Sequence, residues 1–305
     1  MPHPTPLHAL TRTCRVPVSA LSGDAGSGNG LVAGVAWTGI GAVAEFELEV
    51  VGRVGDSPSE SGYLLDITVI DAAIRKHAAA AIRDALRAEC LSGTATDLPS
   101  LLRTVVVGAA SDFEPEISRL TYRPSPFRSV SFEAHRGHAS AHGSTTNHGD
   151  PAMPSSTSIG ASHTEAPHRS GAIVLTETFE FAAAHRLHLD TLSEQENRAL
   201  FGKCNNPNGH GHNYRIEIAV EIDEERAERF SFADLERIAS GEIMARFDHK
   251  HLNRDCPEFA RLNPSVENIA RVSYELLDEP IQGAGGRLRW VRVWETEKTS
   301  CRYPA

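Results

Sequence analysis

The stretch GHGHNYRIEIAV at residues 209–220 alternates, with Tyr214, Ile216, Ile218 and Val220 on the even positions. Successive side chains of a strand point to opposite faces, so this alternation is the mark of a half-buried β-strand. The same pattern lies without a gap over GIGAVAEFELEV at 39–50, with Phe46, Leu48 and Val50 inward and Glu45, Glu47 and Glu49 outward. Two further matches keep the order: DITVI (66–70) over DLERI (234–238), and PSLLR (99–103) over PSVEN (264–268). Internal repetition constrains a fold more than any single element does, because it predicts two copies of one module.

In the second half, strands are expected over Ile173 to His185 and over 210–221. Helices follow over Phe232–Arg246 and Ser265–Leu277, then strands over Leu288–Glu295 and Ser300–Tyr303. The order is strand, strand, helix, helix, strand, strand. The first half repeats it more loosely, with a strand at Ala42–Val51, helices at Val69–Ala88 and Ser100–Ala110, and a late strand at Val130–Glu133. Between the halves, residues 135–170 are dominated by Ser, His, Gly, Thr, Ala and Pro and lack apolar periodicity. Such a stretch cannot bury enough surface to offset its ordering entropy, so it reads as a flexible tether. Its histidines are irregularly spaced, which argues against a metal scavenger. The expected organisation is therefore a module at 1–134, a linker at 135–170 and a second module at 171–305.

Charge and composition remove several function classes. Forty acidic against thirty basic residues leave a net charge of −10, a poor match to a nucleic acid or an anionic membrane surface. No apolar run approaches a membrane span. The prolines of MPHPTPLHALTRTCRVPV interrupt what a secretion signal would need. Five unpatterned cysteines suit a reducing compartment, so a cytoplasmic location is expected.

The residues that carry chemistry lie in the second half. His210 and His212 are two apart on a strand and so share a face, the geometry needed to offer two imidazoles to one metal. His185 ends the preceding strand on the buried parity of Phe179, Phe181 and Ala183, so pairing the strands brings a third imidazole to the same wall. Three neutral nitrogens with an open fourth position is how catalytic zinc is held. Cys204 lies in GKCNNPNGHGH, six residues before His210, on a loop of turn-forming residues. A thiol there could be a base or nucleophile, a fourth ligand or an inert buried group. Asp248-His249 in RFDHKHLN is a carboxylate beside an imidazole it could orient, or a structural pair. Glu267 in NPSVEN opens a helix, where capping alone explains an acid. Glu295 follows Trp294 at the end of an apolar strand, where a carboxylate is costly without a partner; the N–H pair of a heterocycle would suit it. His188 and His251 read as surface residues.

Taken together, F-x-A-A-H (181–185), CNNPNGHGHNY (204–214), DHKHLN (248–253), PSVEN (264–268) and WET (294–296) resemble the 6-pyruvoyl-tetrahydropterin synthase family, with a bacterial branch that makes 6-carboxy-tetrahydropterin in queuosine biosynthesis. CNNPNGHGHNY is the specific motif. The resemblance implies an α+β tunnelling fold, in which tandem ββααββ modules with antiparallel sheets form a barrel in a homo-oligomer. It implies a lyase acting on 7,8-dihydroneopterin triphosphate, with zinc on His185, His210 and His212. It makes Cys204 the proton-transfer base, Asp248 and His249 its relay, Glu295 the pterin anchor and Glu267 a pocket residue. The five residues between Cys204 and His210 look like the pyruvoyl branch. His251 stands where Asn is common, and Val266 where a hydroxyl residue is common. In the first half, His210, His212 and Cys204 fall on Ile40, Ala42 and Gly34, and Glu267 on Leu102, so that copy is expected to be degenerate and without metal, leaving one zinc per chain. A non-catalytic zinc- and pterin-binding module is the competing class; it has no use for a proton relay. A zinc hydrolase would want H-E-x-x-H, which the sequence lacks.

Overall fold

The computed structural model describes residues 7–18, 42–54, 64–92, 96–112, 115–134, 171–223 and 230–305. The expected linker at 135–170 lies outside them. The first half contains β1 (His8–Val18), β2 (Ala42–Gly52), α1 (Ile67–Ser92), α2 (Leu98–Ala109), β3 (Glu116–Ser125) and β4 (Arg128–Ala134). The second contains β5 (Gly171–His185), α3 (Glu194–Phe201), β6 (His210–Ile222), α4 (Phe232–Ala239), β7 (Lys250–His251), α5 (Val266–Gly283), β8 (Gly286–Thr296) and β9 (Thr299–Tyr303). The class is α+β with antiparallel sheet; the first half runs ββααββ, and the second runs in the same order with the short α3 and β7 inserted.

The helices form because their apolar residues return every three or four positions. Ile70, Ala73, Ile74, Ala78 and Ile82 make the buried stripe of α1, and Ile269, Ala270, Ser273, Leu277 and Ile281 that of α5. Side-chain hydroxyls start the later helices: Ser193 and Ser231 close capping boxes with Glu196 and Asp234, and Ser265 accepts from the Asn268 amide. After α4 the chain widens into a π-helical turn at Ser240–Met244, so the expected helix to Arg246 is not uniformly α.

The strands join into one sheet in the order β1-β2-β3-β4-β5-β6-β8-β9, with β7 beside β5. All neighbours are antiparallel except β5 with β7. The buried parity of β2, at Ala44, Phe46, Leu48 and Val50, matches that of β6, at Tyr214, Ile216, Ile218 and Val220. One apolar cluster runs through both halves. Each large side chain buried in it contributes about 1.5–3 kcal/mol.

The halves meet strand to strand. β4 pairs with β5, setting Val130 opposite Leu175 and Phe132 opposite Ile173, all buried. Arg103 donates to the Gly171 carbonyl at 2.9 Å across the joint, and Arg128 reaches the buried Glu177 at 2.6 Å.

Candidate metal centre and active site

β5 and β6 align so that His185 stands opposite His210 and Ala183 opposite His212. Directly opposed residues of an antiparallel pair share a face, so the three imidazoles converge at one end of the ladder. The small Ala183 leaves room for them. Ring centroids are 4.5 Å apart for His185–His210, 4.7 Å for His210–His212 and 5.1 Å for His185–His212.

His185 is fully buried. Its Nδ1–H donates to the Pro264 carbonyl at 2.8 Å, which fixes the tautomer and leaves the Nε2 lone pair facing the cluster. That nitrogen lies 3.1 Å from His210 Nε2. Two donor atoms on a tetrahedral zinc stand about 3.3 Å apart, given bonds of about 2.0–2.1 Å. His212 Nε2 and His210 Nδ1 are shielded and, among the described residues, have no hydrogen-bond partner. Burial pushes the His185 imidazole down to about 4 and lowers His212 as well. Both rings are therefore neutral near pH 7, the form that binds a metal. These observations fit a divalent ion.

Two more donors close on the trio. Cys204 groups with His185 and His210, and Glu295 with His185 and His212, with the atoms of each group within 4.8 Å of one another. Cys204 is held by its own loop: its carbonyl accepts from Leu187 N at 2.8 Å, and the buried Asn205 side chain donates to the Leu187 carbonyl at 2.9 Å. Burial, then the Glu295 carboxylate, raise the thiol above its ordinary range. Glu295 Oε1 lies 3.4 Å from His185 Nε2 and 3.6 Å from His212 Nε2. The structure sets this carboxylate beside two of the three imidazoles, within the histidine cluster.

Asp248 and His249 form a pair, Oδ2 to Nδ1, at 2.9 Å. Ala182 of β5 donates its amide to Asp248 Oδ1 and accepts from His249 N, which pins both residues to the sheet. The amide of Ala182 leads the influences holding the Asp248 carboxyl below its usual range. His249 has φ 58°, a left-handed conformation that costs energy for a non-glycine residue and aims the ring outward. Among the described residues, no hydrogen bond joins Asp248 or His249 to Cys204 within one chain. Glu267 is exposed at the first turn of α5; its charge acts on Cys301, and among the described residues no hydrogen bond or ion pair ties it to the histidines.

Sequence reasoning missed two histidines. His188 is half-buried, and its Nδ1 accepts from Asn205 Nδ2 at 3.0 Å. His251 is also half-buried, with both ring nitrogens shielded and, among the described residues, without a hydrogen-bond partner. It stands between two clefts. One, of about 580 Å³, is lined by His212, Asn213, His249 and Lys250. The other, of about 450 Å³, is lined by Arg186, Arg254 and Arg261 and, as its one acid, Asp190. No helix among the described residues is long and apolar enough to cross a membrane.

The sequence pattern of the family described as 6-pyruvoyl tetrahydropterin synthase matches residues 174–305. The chain is 40% identical over 131 residues to the human 6-pyruvoyl tetrahydrobiopterin synthase, covering 42% of this chain and 89% of that one. It is 32% identical over 136 residues to the protein of that name from Dictyostelium discoideum, covering 44% and 97%. Among solved structures, the Caenorhabditis elegans 6-pyruvoyl tetrahydropterin synthase matches at 33% identity and a TM-score of 0.40, covering 44% of this chain and 96% of that one. With its second half spanning nearly the whole of these relatives, the chain belongs to the 6-pyruvoyl tetrahydropterin synthase family, a family of lyases.

Proposed function

We propose that the chain is a zinc-dependent lyase that converts 7,8-dihydroneopterin triphosphate to 6-pyruvoyl-tetrahydropterin, one zinc being held per chain by His185, His210 and His212. The observation that carries this reading is the convergence of three imidazoles beside a thiol, in a member of this family. When bound, zinc supplies Lewis acidity toward the hydroxyls of the substrate side chain. Cys204 Sγ, within reach of that position, takes and returns protons, and Asp248 holds His249 as the relay group. Because the pair does not reach Cys204 within one chain, the relay needs either a closing movement or a second copy. Glu295, against the imidazoles, brings the pterin ring close to the metal, and Glu267 completes the ring pocket. The polyphosphate arm belongs in the adjoining arginine-lined cleft, where Arg186, Arg254 and Arg261 outnumber Asp190.

The first half is proposed to be a degenerate copy that contributes strands and no metal. Its ββααββ order and the shared parity of β2 and β6 support this. The counterparts of the ligands, Ile40 and Ala42, carry no donor atoms. A cytoplasmic homo-oligomer is the proposed working form. Zinc-loaded protein incubated with dihydroneopterin triphosphate tests the reading, with the product identified by mass. Release of triphosphate with formation of the 6-pyruvoyl product is expected. A 6-carboxy product would place the chain in the queuosine branch, and unchanged substrate with zinc bound would leave a non-catalytic pterin-binding module.

A further inference from the structure

His210 and His212 occupy even positions of β6, so the odd residues Arg215 and Glu217 lie on the opposite face of the sheet. On that face guanidinium and indole groups alternate across three strands. The Arg215 Cζ of β6 lies 4.3 Å from the centre of the Trp294 ring, and that of Arg292 in β8 lies 5.4 Å from the same ring. Arg292 is also 5.7 Å from the centre of Trp290, and Arg302 of β9 is 5.8 Å from it. The row therefore runs Arg215, Trp294, Arg292, Trp290, Arg302. Each distance is within the reach of a cation–π contact.

The strand register makes this row costly when nothing is bound to it. Arg292 stands directly opposite Arg302 in the β8–β9 ladder. Like charges opposed in this way destabilise a sheet. Two acids are in register with the row, Glu217 opposite Arg292 and Glu180 opposite Arg215. Among the described residues, neither forms a hydrogen bond or close ion pair with it, and Arg215, Arg292 and Arg302 have no side-chain acceptor. Burial leads in raising the Glu217 carboxyl, against the pull of Arg292, Arg123 and Arg215, so that acid is a poor counter-charge.

A guanidinium stacked by its face keeps its N–H donors in plane, directed along its edge. The indoles thus hold three forks of donors ready for an acceptor that the chain does not provide. A carboxylate has two oxygens in one plane and suits one fork. A tetrahedral phosphate has oxygens in several directions and can accept from two opposed forks. We propose that Arg292 and Arg302 grip one phosphate group across Trp290, and that Arg215, beyond Trp294, takes a second phosphate of the same molecule. The ligand is a small anion with two or more linked phosphates. A long polyanion is disfavoured by the net charge of −10. Bound phosphate cancels the repulsion between the opposed arginines. The site lies on the face away from His185, His210 and His212, so it stands apart from the proposed chemistry.

The indoles report on the site. In the full-length chain carrying Trp37→Phe, Trp290 and Trp294 are the remaining tryptophans. Inorganic pyrophosphate added in about 0.15 M salt should change their emission saturably. Arg292→Gln and Arg302→Gln should each weaken that binding by about tenfold or more. Arg302 is exposed, so its replacement spares the core. Arg302→Lys keeps the charge but loses the planar fork, and it should weaken binding too. Arg261→Gln, in the separate arginine-lined cleft, should leave the signal intact. Tighter binding of ADP than of pyrophosphate would support a nucleotide as the source of the phosphates, and equal binding the free anion; both support the site. No saturable change, full affinity in either glutamine variant or in Arg302→Lys, or loss of the signal in Arg261→Gln would overturn the proposal.

Discussion

His185 shows how much one side chain can be asked to do. It has no exposure, donates through Nδ1 to a backbone carbonyl and presents Nε2 to the cluster. Replacing it by Ala should take bound zinc from about one per chain toward none, read by metal analysis of the purified protein. Cys204→Ala should behave differently, keeping the metal while turnover falls by about 10²–10⁴-fold. Loss of zinc in that variant would make Cys204 a ligand. In the first half the comparable knot is structural. Asp71 is 3% exposed and accepts from Arg12 Nε at 2.8 Å and Nη2 at 2.7 Å, and from Cys14 Sγ at 3.0 Å. Burial alone would raise its carboxyl, but these donors, with Arg75, overcome it and hold the group below its ordinary 3.8. The sign follows: a depressed folded value gives stability that is present above the unfolded value and lost as pH falls through the folded one. Asp71→Ala should cost about 1–3 kcal/mol by removing the buried acceptor that Arg12 and the buried Cys14 share, seen as a lowered midpoint in urea. It should also flatten the acid limb below pH 4.

At the scale of elements, the ladder β5–β6 was legible because both strands alternate, β5 ending and β6 beginning in histidine. β1 was not, although Leu10, Cys14 and Val16 share a parity, because Arg12 and Pro17 interrupt the apolar pattern. Its partner β2 and the buried Asp71 supply what the local sequence does not. Glu295 was legible as an anomalous acid but not as a neighbour of the histidines. That contact depends on β8 lying beside β6, with Arg215 opposite Trp294, and strand order is not written in periodicity. His251 was taken for a surface residue because the two-residue β7 gives no pattern to read. The turn into β6 is a further constraint. Gly209 has φ 72°, and a Cβ there would lie 2.7 Å from His251 Nε2 and 2.9 Å from the His185 carbonyl. Gly209→Ala should destabilise the fold by about 1 kcal/mol or more through backbone strain. It should also weaken zinc affinity by pushing on His185, read together by thermal melting and metal titration.

Over the whole molecule, the repeat in the sequence predicts two modules, and one apolar cluster runs through both halves. What the repeat does not show is the joint. β4 and β5 are separated by 36 residues that lie outside the described ones, and nothing in their sequences announces that they pair. The joint carries a buried acid, Glu177, whose carboxyl is raised by burial despite Arg128. Arg128→Met should cost about 3–5 kcal/mol at neutral pH, because it strands that charge. The loss should shrink as pH falls and Glu177 takes up a proton, which a urea series across pH would show. The proposed chemistry depends on the three imidazoles of the second half. Its most direct test is diffraction from zinc-soaked crystals at the zinc absorption edge. One anomalous peak per chain, bonded to His185, His210 and His212, is predicted. A peak elsewhere, a second site in the first half, or none beside these rings would contradict it.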